Sequence, residues 1–312
     1  HDRMQLEVMR GCRRRCRFCQ AGVVYRPNRE RSVEKLISLV KRLYENTGYD
    51  EVSLISLSSG DHSRIMQIIS SLKDVFKDKG ISISLPSLRA EDLVTRFPLE
   101  ITTGRRTTLT FAPEVGSEKM RKIINKDISL KALKECAYQA FKNGWRRIKL
   151  YFMIGLPQED HSDLDAIVNL AKEISDVKIK IDGRSAKINA SVSVFVPKPH
   201  TQFERAAMLP IEEIKKRQRY IREKSIGSKV KFSFHDARMC YIEAVLSRGN
   251  RRSCACIYNA WKMGCKFDGW SDHFNYDVWM TAFKEAGVEP DYYASREHGL
   301  EEVLPWEFIE VK

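Results

Sequence analysis

The chain of 312 residues is 43% hydrophobic, so it can fill a sizeable core, and we predict a globular protein. Lys and Arg outnumber Asp and Glu by 54 to 41, and the net charge of +13 favours an anionic partner such as RNA, DNA or a phosphorylated small molecule. The longest apolar run, residues 150–157, is too short to span a bilayer, and the N-terminus shows no signal segment. These features exclude a membrane-spanning protein and predict a cytoplasmic one.

Short β-rich runs alternate with helical stretches over the first two thirds of the chain, and the last third is mostly helical in pattern. The repeated strands are predicted at 5–9, 51–57, 81–85, 108–112, 147–154 and 189–196. Helices are predicted at 32–44, 65–76, 237–246, 256–263 and 276–286, and an extra strand at 229–235.

Strands that are joined by helical crossovers run parallel, and six such units close fully or partly into a barrel. We therefore predict an α/β fold, a partial (β/α)6 TIM-like barrel over 1–235, with a mostly helical extension over 236–312 packed on it. A doubly wound open sheet is the competing architecture. The stretches RGC, SLSSGD and VPKPHT all follow strand ends, which suits a barrel mouth better than one crevice.

Three cysteines, Cys12, Cys16 and Cys19, form a C-x3-C-x2-C loop after the first strand. Three thiolates fix three corners of an iron–sulfur cubane and leave one iron open to a chelating small molecule. A zinc site, which this spacing fits poorly, and free thiols are the alternatives. Four arginines are interleaved with these cysteines: Arg13, Arg14, Arg15 and Arg17. Three interpretations stay open for them: they balance the charge of an anionic cluster, they steer a polyanionic substrate, or they are solvated surface residues.

This loop, with Phe18 before its last cysteine, resembles the radical S-adenosylmethionine (SAM) superfamily, and the resemblance makes Phe18 a predicted cofactor contact. The resemblance implies that Cys12, Cys16 and Cys19 hold a 4Fe-4S cluster and that SAM chelates its fourth iron. It also implies cleavage of SAM to methionine and a 5'-deoxyadenosyl radical, which abstracts hydrogen from a substrate. A reductant such as flavodoxin or ferredoxin is then an expected partner.

The turn after the second strand is a predicted SAM contact by the same resemblance. Ser58, Ser59, Gly60 and Asp61 occupy the place of a Gly-Gly-Glu-Pro-like turn whose backbone binds the SAM amino group. Here serines replace the glycines and Asp replaces Glu. An ordinary turn is the alternative interpretation.

Four further SAM contacts are implied one position at a time. Glu114 corresponds to a residue that is aimed at the ribose, Lys126 and Arg89 are candidates for the carboxylate, and Gly155 matches a glycine beside the adenine. For Lys126 the alternative is a solvated charge. His200 is a candidate proton carrier, for which a structural hydrogen bond is the alternative.

Essentially the whole chain resembles B12-binding-type radical SAM proteins with a methylthiotransferase-like core, on stretches such as FAPEVGSEKMRKIINK and GWRRIKLYFMIGLP. Members commonly carry an N-terminal cobalamin-binding-like domain and often a C-terminal domain. Because the chain begins with His1, we expect a catalytic-core fragment with domains missing at the N-terminus and at the C-terminus. Cobalamin would enter only through a domain that is absent from this chain.

Three functions stay open at this stage. The first is a radical SAM enzyme that modifies RNA or a ribosome-linked component, which the charge and the methylthiotransferase-like features favour. The second is a radical SAM enzyme that acts on a small molecule. The third is a non-catalytic iron–sulfur protein that binds RNA or senses redox state, with RNA affinity that falls as salt rises.

The other five cysteines are predicted to be buried or free thiols rather than ligands of a second cluster. On a helix, Cys254 and Cys256 would point about 200° apart and could not converge. The set comprises Cys136, Cys240, Cys254, Cys256 and Cys265. Eight cysteines with three in one loop do not form the framework of a disulfide-stapled secreted protein, which indicates a reducing compartment.

Overall fold

The computed structural model describes residues 2–84, 89 and 108–311. Over this part of the chain, strands alternate with helices as predicted. The strands are β1 (Met4–Glu7), β2 (Met9–Arg10), β3 (Arg29–Glu30), β4 (Glu51–Ile55), β5 (Ser82–Ser84), β6 (Thr108–Glu114), β7 (Arg147–Ile154), β8 (Ile188–Val194) and β9 (Val230–Phe234).

Seven of these strands pair in parallel, in two sheets with the orders β1-β4-β5 and β6-β7-β8-β9. The predicted α/β fold with parallel strands is confirmed, and β9 is the predicted extra strand. The helix that was predicted between the third and fourth repeated strands falls at residues 85–107, which lie outside the described residues apart from Arg89. Within the described residues the two sheets do not join, so they form no closed barrel.

The helices of the described residues lie mainly between successive parallel strands and in the last third of the chain. They are α1 (Ala21–Val24), α2 (Val33–Thr47), α3 (Ile65–Val75), α4 (Glu118–Ile123), α5 (Leu130–Lys142), α6 (His161–Asp176), α7 (Ile179–Asp182), α8 (Ile211–Lys224), α9 (Ala237–Arg248), α10 (Ser253–Lys262), α11 (Tyr276–Glu285) and α12 (Pro290–Ala294). Side-chain caps fix several starts, because a Ser, Asp or Asn oxygen accepts one of the unpaired first-turn N–H groups. Ser32 caps α2 in this way, and Asp236 caps α9.

In strand β7, alternate side chains face the main core and the opposite side of the sheet. Ile148, Leu150, Phe152 and Ile154 are fully buried in the main core, which also receives apolar side chains of α5 and α6. Each such side chain contributes about 1.5–3 kcal/mol by leaving water. Because alternate residues of a strand point to opposite faces, the intervening side chains, among them Tyr151, lie on the other face.

The predicted first strand, 5–9, is divided in the structure. Its first part, β1, pairs with β4, and Val8 donates its N–H to the carbonyl of Ile55. Its last part, β2, turns away and pairs antiparallel with β3. This small ribbon closes the segment that carries the three cysteines, so the loop leaves the sheet and returns to the same edge.

The helices α9 to α11 build a second apolar cluster with side chains that come before residue 235. Val194, Val196 and Met208 pack there with Val245, and Trp279 is buried in the same cluster. The division of the chain at residues 235 and 236 stays a prediction. No helix of the described residues combines the length and apolarity that crossing a membrane requires.

Candidate functional site

A cavity of about 360 Å³ lies beside the cysteine loop. The three cysteines, Cys12, Cys16 and Cys19, all line it. Five of the predicted SAM contacts line the same cavity; they are Phe18, Ser58, Arg89, Glu114 and Lys126. The structure thus gathers residues from five separate stretches of sequence around one space.

The backbone of the cysteine loop starts at Gly11, whose φ is +89°. A Cβ at this position would lie 2.6 Å from the Tyr25 carbonyl oxygen and 2.9 Å from the Asn28 Cα. Both atoms belong to backbone and cannot rotate away. Glycine is therefore required at this point, because only glycine combines this φ with so close an approach.

The cysteine loop is tied down by the turn that follows α4. The Arg17 N–H donates to the Ile124 carbonyl oxygen over 2.9 Å, and the Arg17 guanidinium donates to the Ile123 carbonyl oxygen over 2.9 Å. The Asn125 side-chain amide donates to the Arg15 carbonyl oxygen over 2.8 Å. These contacts join residues more than a hundred positions apart, and sequence inspection gave no signal for them.

Two of the three thiols accept backbone hydrogen bonds. The Arg14 N–H lies 3.4 Å from the Cys12 sulfur, and the Gly22 N–H lies 3.3 Å from the Cys19 sulfur. Burial raises the pKa of Cys16, and the positive charges of Lys126 and Arg89 oppose that rise. Lys126 and Arg89 therefore reduce the cost of ionising Cys16, and the ionised thiolate is the form that binds a metal.

The side chains of three loop arginines, Arg13, Arg14 and Arg17, have structural partners that the sequence analysis did not assign. Arg14 donates two hydrogen bonds to Asp61, over 2.9 and 2.5 Å, and Arg13 forms an ion pair with Glu30 at 3.0 Å. Burial favours the neutral form of Asp61, but hydrogen bonds from Arg14 and Ser58 outweigh it and hold its pKa below the ordinary value. Loop arginines thus fasten the loop to neighbouring elements.

Glu114 and Lys126, both predicted SAM contacts, form an ion pair on the cavity wall. The Lys126 Nζ lies 2.7 Å from the Glu114 Oε1, and each side chain is 16% exposed. Glu114 ends β6 after an irregularity in the β6–β7 register and has a φ of +66°, a conformation that few non-glycine residues adopt. Next to this pair, the Arg89 guanidinium donates to the carbonyl oxygen of Asp127.

The serine-rich turn is only partly on the cavity. Ser58 lines it, whereas Ser59 and Gly60 are buried in a 3-10 turn behind it. The Ser59 hydroxyl lies 2.9 Å from the Ser56 hydroxyl. Asp61 reaches the site indirectly, through its two hydrogen bonds with Arg14.

Gly155 and His200 lie outside the lining of this cavity. Gly155 has a φ of +85° and donates its N–H over 2.8 Å to Glu159, a buried carboxylate that also pairs with Arg217. His200 lines a separate cavity of about 670 Å³, and its N–H donates to Glu204 over 2.7 Å. Gln20, which follows Cys19, lines the same cavity as His200. The proton-carrier role of His200 and the adenine contact of Gly155 stay predictions.

Several residues of the cavity lining were missed by the sequence analysis, two of them polar residues on strands. Thr110 of β6 and Tyr151 of β7 both line the cavity. The alternation of buried and exposed positions along each strand was the available signal, because it places both side chains on the face opposite the core.

A comparison with protein families matches the sequence profile described as the Radical SAM superfamily to residues 6–171. The chain belongs to the radical SAM superfamily. The match begins in β1, contains all three cysteines and ends within α6, so it includes the lining of the cavity.

Two known proteins are similar to this radical SAM chain. An uncharacterized protein of Methanocaldococcus jannaschii, MJ0966, is 36% identical over 251 residues, which are 78% of this chain and 52% of that protein. Streptococcus suis SuiB, in structures bound to S-adenosylmethionine and to the precursor peptide SuiA, is 12% identical with a TM-score of 0.51. These matches cover 78% of this chain and 52% and 51% of the SuiB chains, respectively. The likeness to SuiB shows the fold, and the chain spans about half the length of both relatives.

Membership in this superfamily implies an iron–sulfur cluster and SAM, and the residues present fit both groups. The donors are three thiols on one cavity, two of which accept N–H bonds of the kind that tune such clusters. Among the described residues, no three His, Cys, Asp or Glu side chains are arranged to hold a single metal ion. A cubane differs from a single ion in that its thiolates bind different iron atoms, so the donor set favours a cluster over a zinc ion.

The remaining cysteines lie elsewhere. None of the eight cysteines forms a disulfide. Cys254 is exposed and Cys256 is buried on the same helix, α10, as the helical geometry predicts. Cys136 and Cys240 are buried, in two different apolar clusters.

Proposed function

We propose that this chain is the catalytic core of a radical SAM enzyme in which Cys12, Cys16 and Cys19 hold a 4Fe-4S cluster. One observation supports the proposal above all: three thiols, cationic side chains and an acidic side chain line the same cavity. When bound, the reduced cluster supplies the electron that splits SAM into methionine and a 5'-deoxyadenosyl radical, which abstracts hydrogen from the substrate.

The side chains of the cavity have distinct proposed tasks. Lys126 and Arg89 neutralise the carboxylate of SAM, since both are cations on the wall nearest Cys16. Glu114 accepts from the ribose hydroxyls, and its ion pair with the Lys126 ammonium holds the carboxylate in place. Thr110 and Tyr151 narrow the cavity and exclude water from the reacting atoms.

The wider assignment is also a proposal. We infer a partial (β/α)6 barrel over residues 1–235 with a helical extension over 236–312, of the B12-binding type with a methylthiotransferase-like core. RNA or a ribosome-linked component is the proposed substrate, supported by the net charge of +13. A flavodoxin or ferredoxin is the proposed reductant.

The decisive experiment is anaerobic reconstitution with iron and sulfide, followed by dithionite and SAM, with 5'-deoxyadenosine measured by mass spectrometry. We expect product from the wild type and only background product from Cys16→Ala. Cys254→Ala is the matched control, because it removes an exposed thiol outside the cavity and should keep full activity. A wild type that carries a full cluster and yields no product would contradict the proposal and favour a non-catalytic iron–sulfur protein.

A second experiment tests the SAM contacts. Lys126→Met should raise the KM for SAM by roughly 10-fold while the cluster is still incorporated, because one charge-assisted contact is lost. Lys122→Met is the control, since Lys122 is 77% exposed and pairs on the surface with Glu118. Equal KM values for the two variants would exclude Lys126 from SAM binding.

A further inference from the structure

Helix α10 exposes a continuous band of apolar and aromatic side chains. At about 100° per residue, Tyr258 and Trp261 fall on the side opposite Cys256 and Ala260, which pack in the second apolar cluster, and the exposed Ile257 lies at the edge of that side. Tyr258 is 54% exposed and Trp261 is 55% exposed. We call the exposed side chains of this band the aromatic face of α10.

The two rings of the aromatic face are neighbours. The centroids of Tyr258 and Trp261 lie 5.8 Å apart with their planes 33° from parallel, and the Lys262 ammonium lies 5.3 Å from the Tyr258 centroid. A groove of about 460 Å³ runs beside them and is also lined by Arg251 and Cys254. Aromatic surface and positive charge therefore occur together.

The surrounding charge has one sign. From Ala244 to Phe267 the sequence holds five Lys or Arg residues and no Asp or Glu. Among the described residues, no carboxylate lies within ion-pair distance of Arg251, Arg252, Lys262 or Lys266. The first acidic residue after this segment, Asp268, accepts a hydrogen bond from the buried Trp279 indole.

This combination identifies the chemistry of the partner. A surface that packs against another protein is usually depleted of Lys, whereas here the Lys262 ammonium lies over the Tyr258 ring. Exposed rings beside cations without carboxylate partners instead match an unpaired nucleic acid strand, whose bases stack on the rings while its phosphates approach the cations. We propose that the aromatic face of α10 binds a single-stranded nucleic acid, and the choice of RNA over DNA rests on the substrate proposed above.

The test measures fluorescence anisotropy of a short fluorescein-labelled polyuridine strand with the full 312-residue chain. We expect binding that weakens as salt rises, because counterions are released from the phosphates. Trp261→Ala and Tyr258→Ala should each weaken binding by roughly 10-fold, since each removes a stacking surface. The matched control is Tyr292→Ala, which removes an exposed tyrosine beneath a cation, Arg296, on a different helix.

Two further measurements make the result specific to this face. When the logarithm of the affinity is plotted against the logarithm of the salt concentration, the slope should be shallower for Arg251→Glu than for the wild type. Polyuridine should also slow the alkylation of Cys254, measured by mass spectrometry, in the wild type and not in Trp261→Ala. Circular dichroism of every variant verifies that the fold is retained.

The outcomes separate this proposal from the radical chemistry, because binding is measured without SAM, iron or reductant. Equal affinity of the wild type, Tyr258→Ala and Trp261→Ala for polyuridine would overturn it. Equal affinity for a single-stranded DNA of matched length would overturn the assignment to RNA. Absent RNA binding, together with wild-type self-association that Trp261→Ala abolishes in sedimentation, would show a protein interface instead.

Discussion

The chain has two regions rich in cations, the cysteine loop and the segment around α10, and they use those cations differently. In the loop, Arg13 and Arg14 pair with carboxylates and Arg17 binds backbone carbonyls. Around α10, Arg251 and Lys262 have no carboxylate partner among the described residues. Arginines that are paired with carboxylates or carbonyls fix the conformation of the loop, whereas cations without a carboxylate partner remain available to an anionic ligand.

The largest expected loss of stability comes from replacing a glycine in the cysteine loop, and a glycine next to α10 serves for comparison. Gly11→Ala should lower the free energy of unfolding by about 3 kcal/mol or more and reduce iron content, because the new Cβ meets fixed backbone at an unfavourable φ. Gly264→Ala, just after α10, has a φ of +100° with open space around the Cβ and should cost only about 1 kcal/mol. Urea unfolding measures both, and equal losses would contradict the idea of a tightly held loop.

A smaller loss is expected at the tether of the cysteine loop. Asn125→Ala should cost about 2 kcal/mol, because it removes the hydrogen bond to Arg15 and places alanine at a φ of +50°. Asn125→Gly keeps the backbone conformation and should cost less. The same urea experiment separates the two contributions, and a glycine variant less stable than the alanine variant would exclude backbone strain.

The arginines themselves should differ between the two regions. Arg14→Ala should lower the free energy of unfolding by about 1 kcal/mol, a value that allows for the partial exposure of the Arg14–Asp61 pair. Arg252→Ala, in the segment around α10, should change it by less than about 0.5 kcal/mol. Losses of equal size would remove the distinction between structural and available cations.

The smallest effect concerns pH. The pKa of Asp61 lies below its ordinary value of 3.8 in the folded chain, so its ionised form stabilises the fold above that pH. This stabilisation is lost as pH falls through the folded pKa, where Asp61 becomes protonated. The stability difference between the wild type and Asp61→Asn should therefore be constant near neutrality and shrink below pH 3.8. A difference that grows in acid would contradict the Arg14 contact as its cause.

Local patterns were sufficient to predict the parallel strands and to single out the three cysteines of the loop. The alternation in residues 147–154 reports burial on one face of a strand, and the spacing of Cys12, Cys16 and Cys19 is contained in eight positions. The site as a whole needed distant pairings. Nothing near Arg17 indicates Ile123 as its partner, and nothing near Gly155 indicates that Glu159 and Arg217 would fix its turn.

Conversely, three predicted site residues depend on pairings that the sequence does not encode locally. His200 follows a strand end, as cavity residues do, but its segment turns towards α9 and the C-terminal residues, where it lines another cavity. Glu114 and Lys126 were assigned separately to SAM, and the structure joins them in one ion pair.

The cysteine loop is anchored on the turn after α4, so this turn must be synthesised before the loop can take its final conformation. A ribosome that has released only the first few dozen residues has made all three thiols but not Ile124 or Asn125, on which the loop is anchored. The loop therefore reaches its final shape only after the fourth parallel strand in the chain, β6, has been synthesised and α4 has formed beside it. The proposed cluster would therefore meet anchored thiols only once residues up to Asn125 have been synthesised.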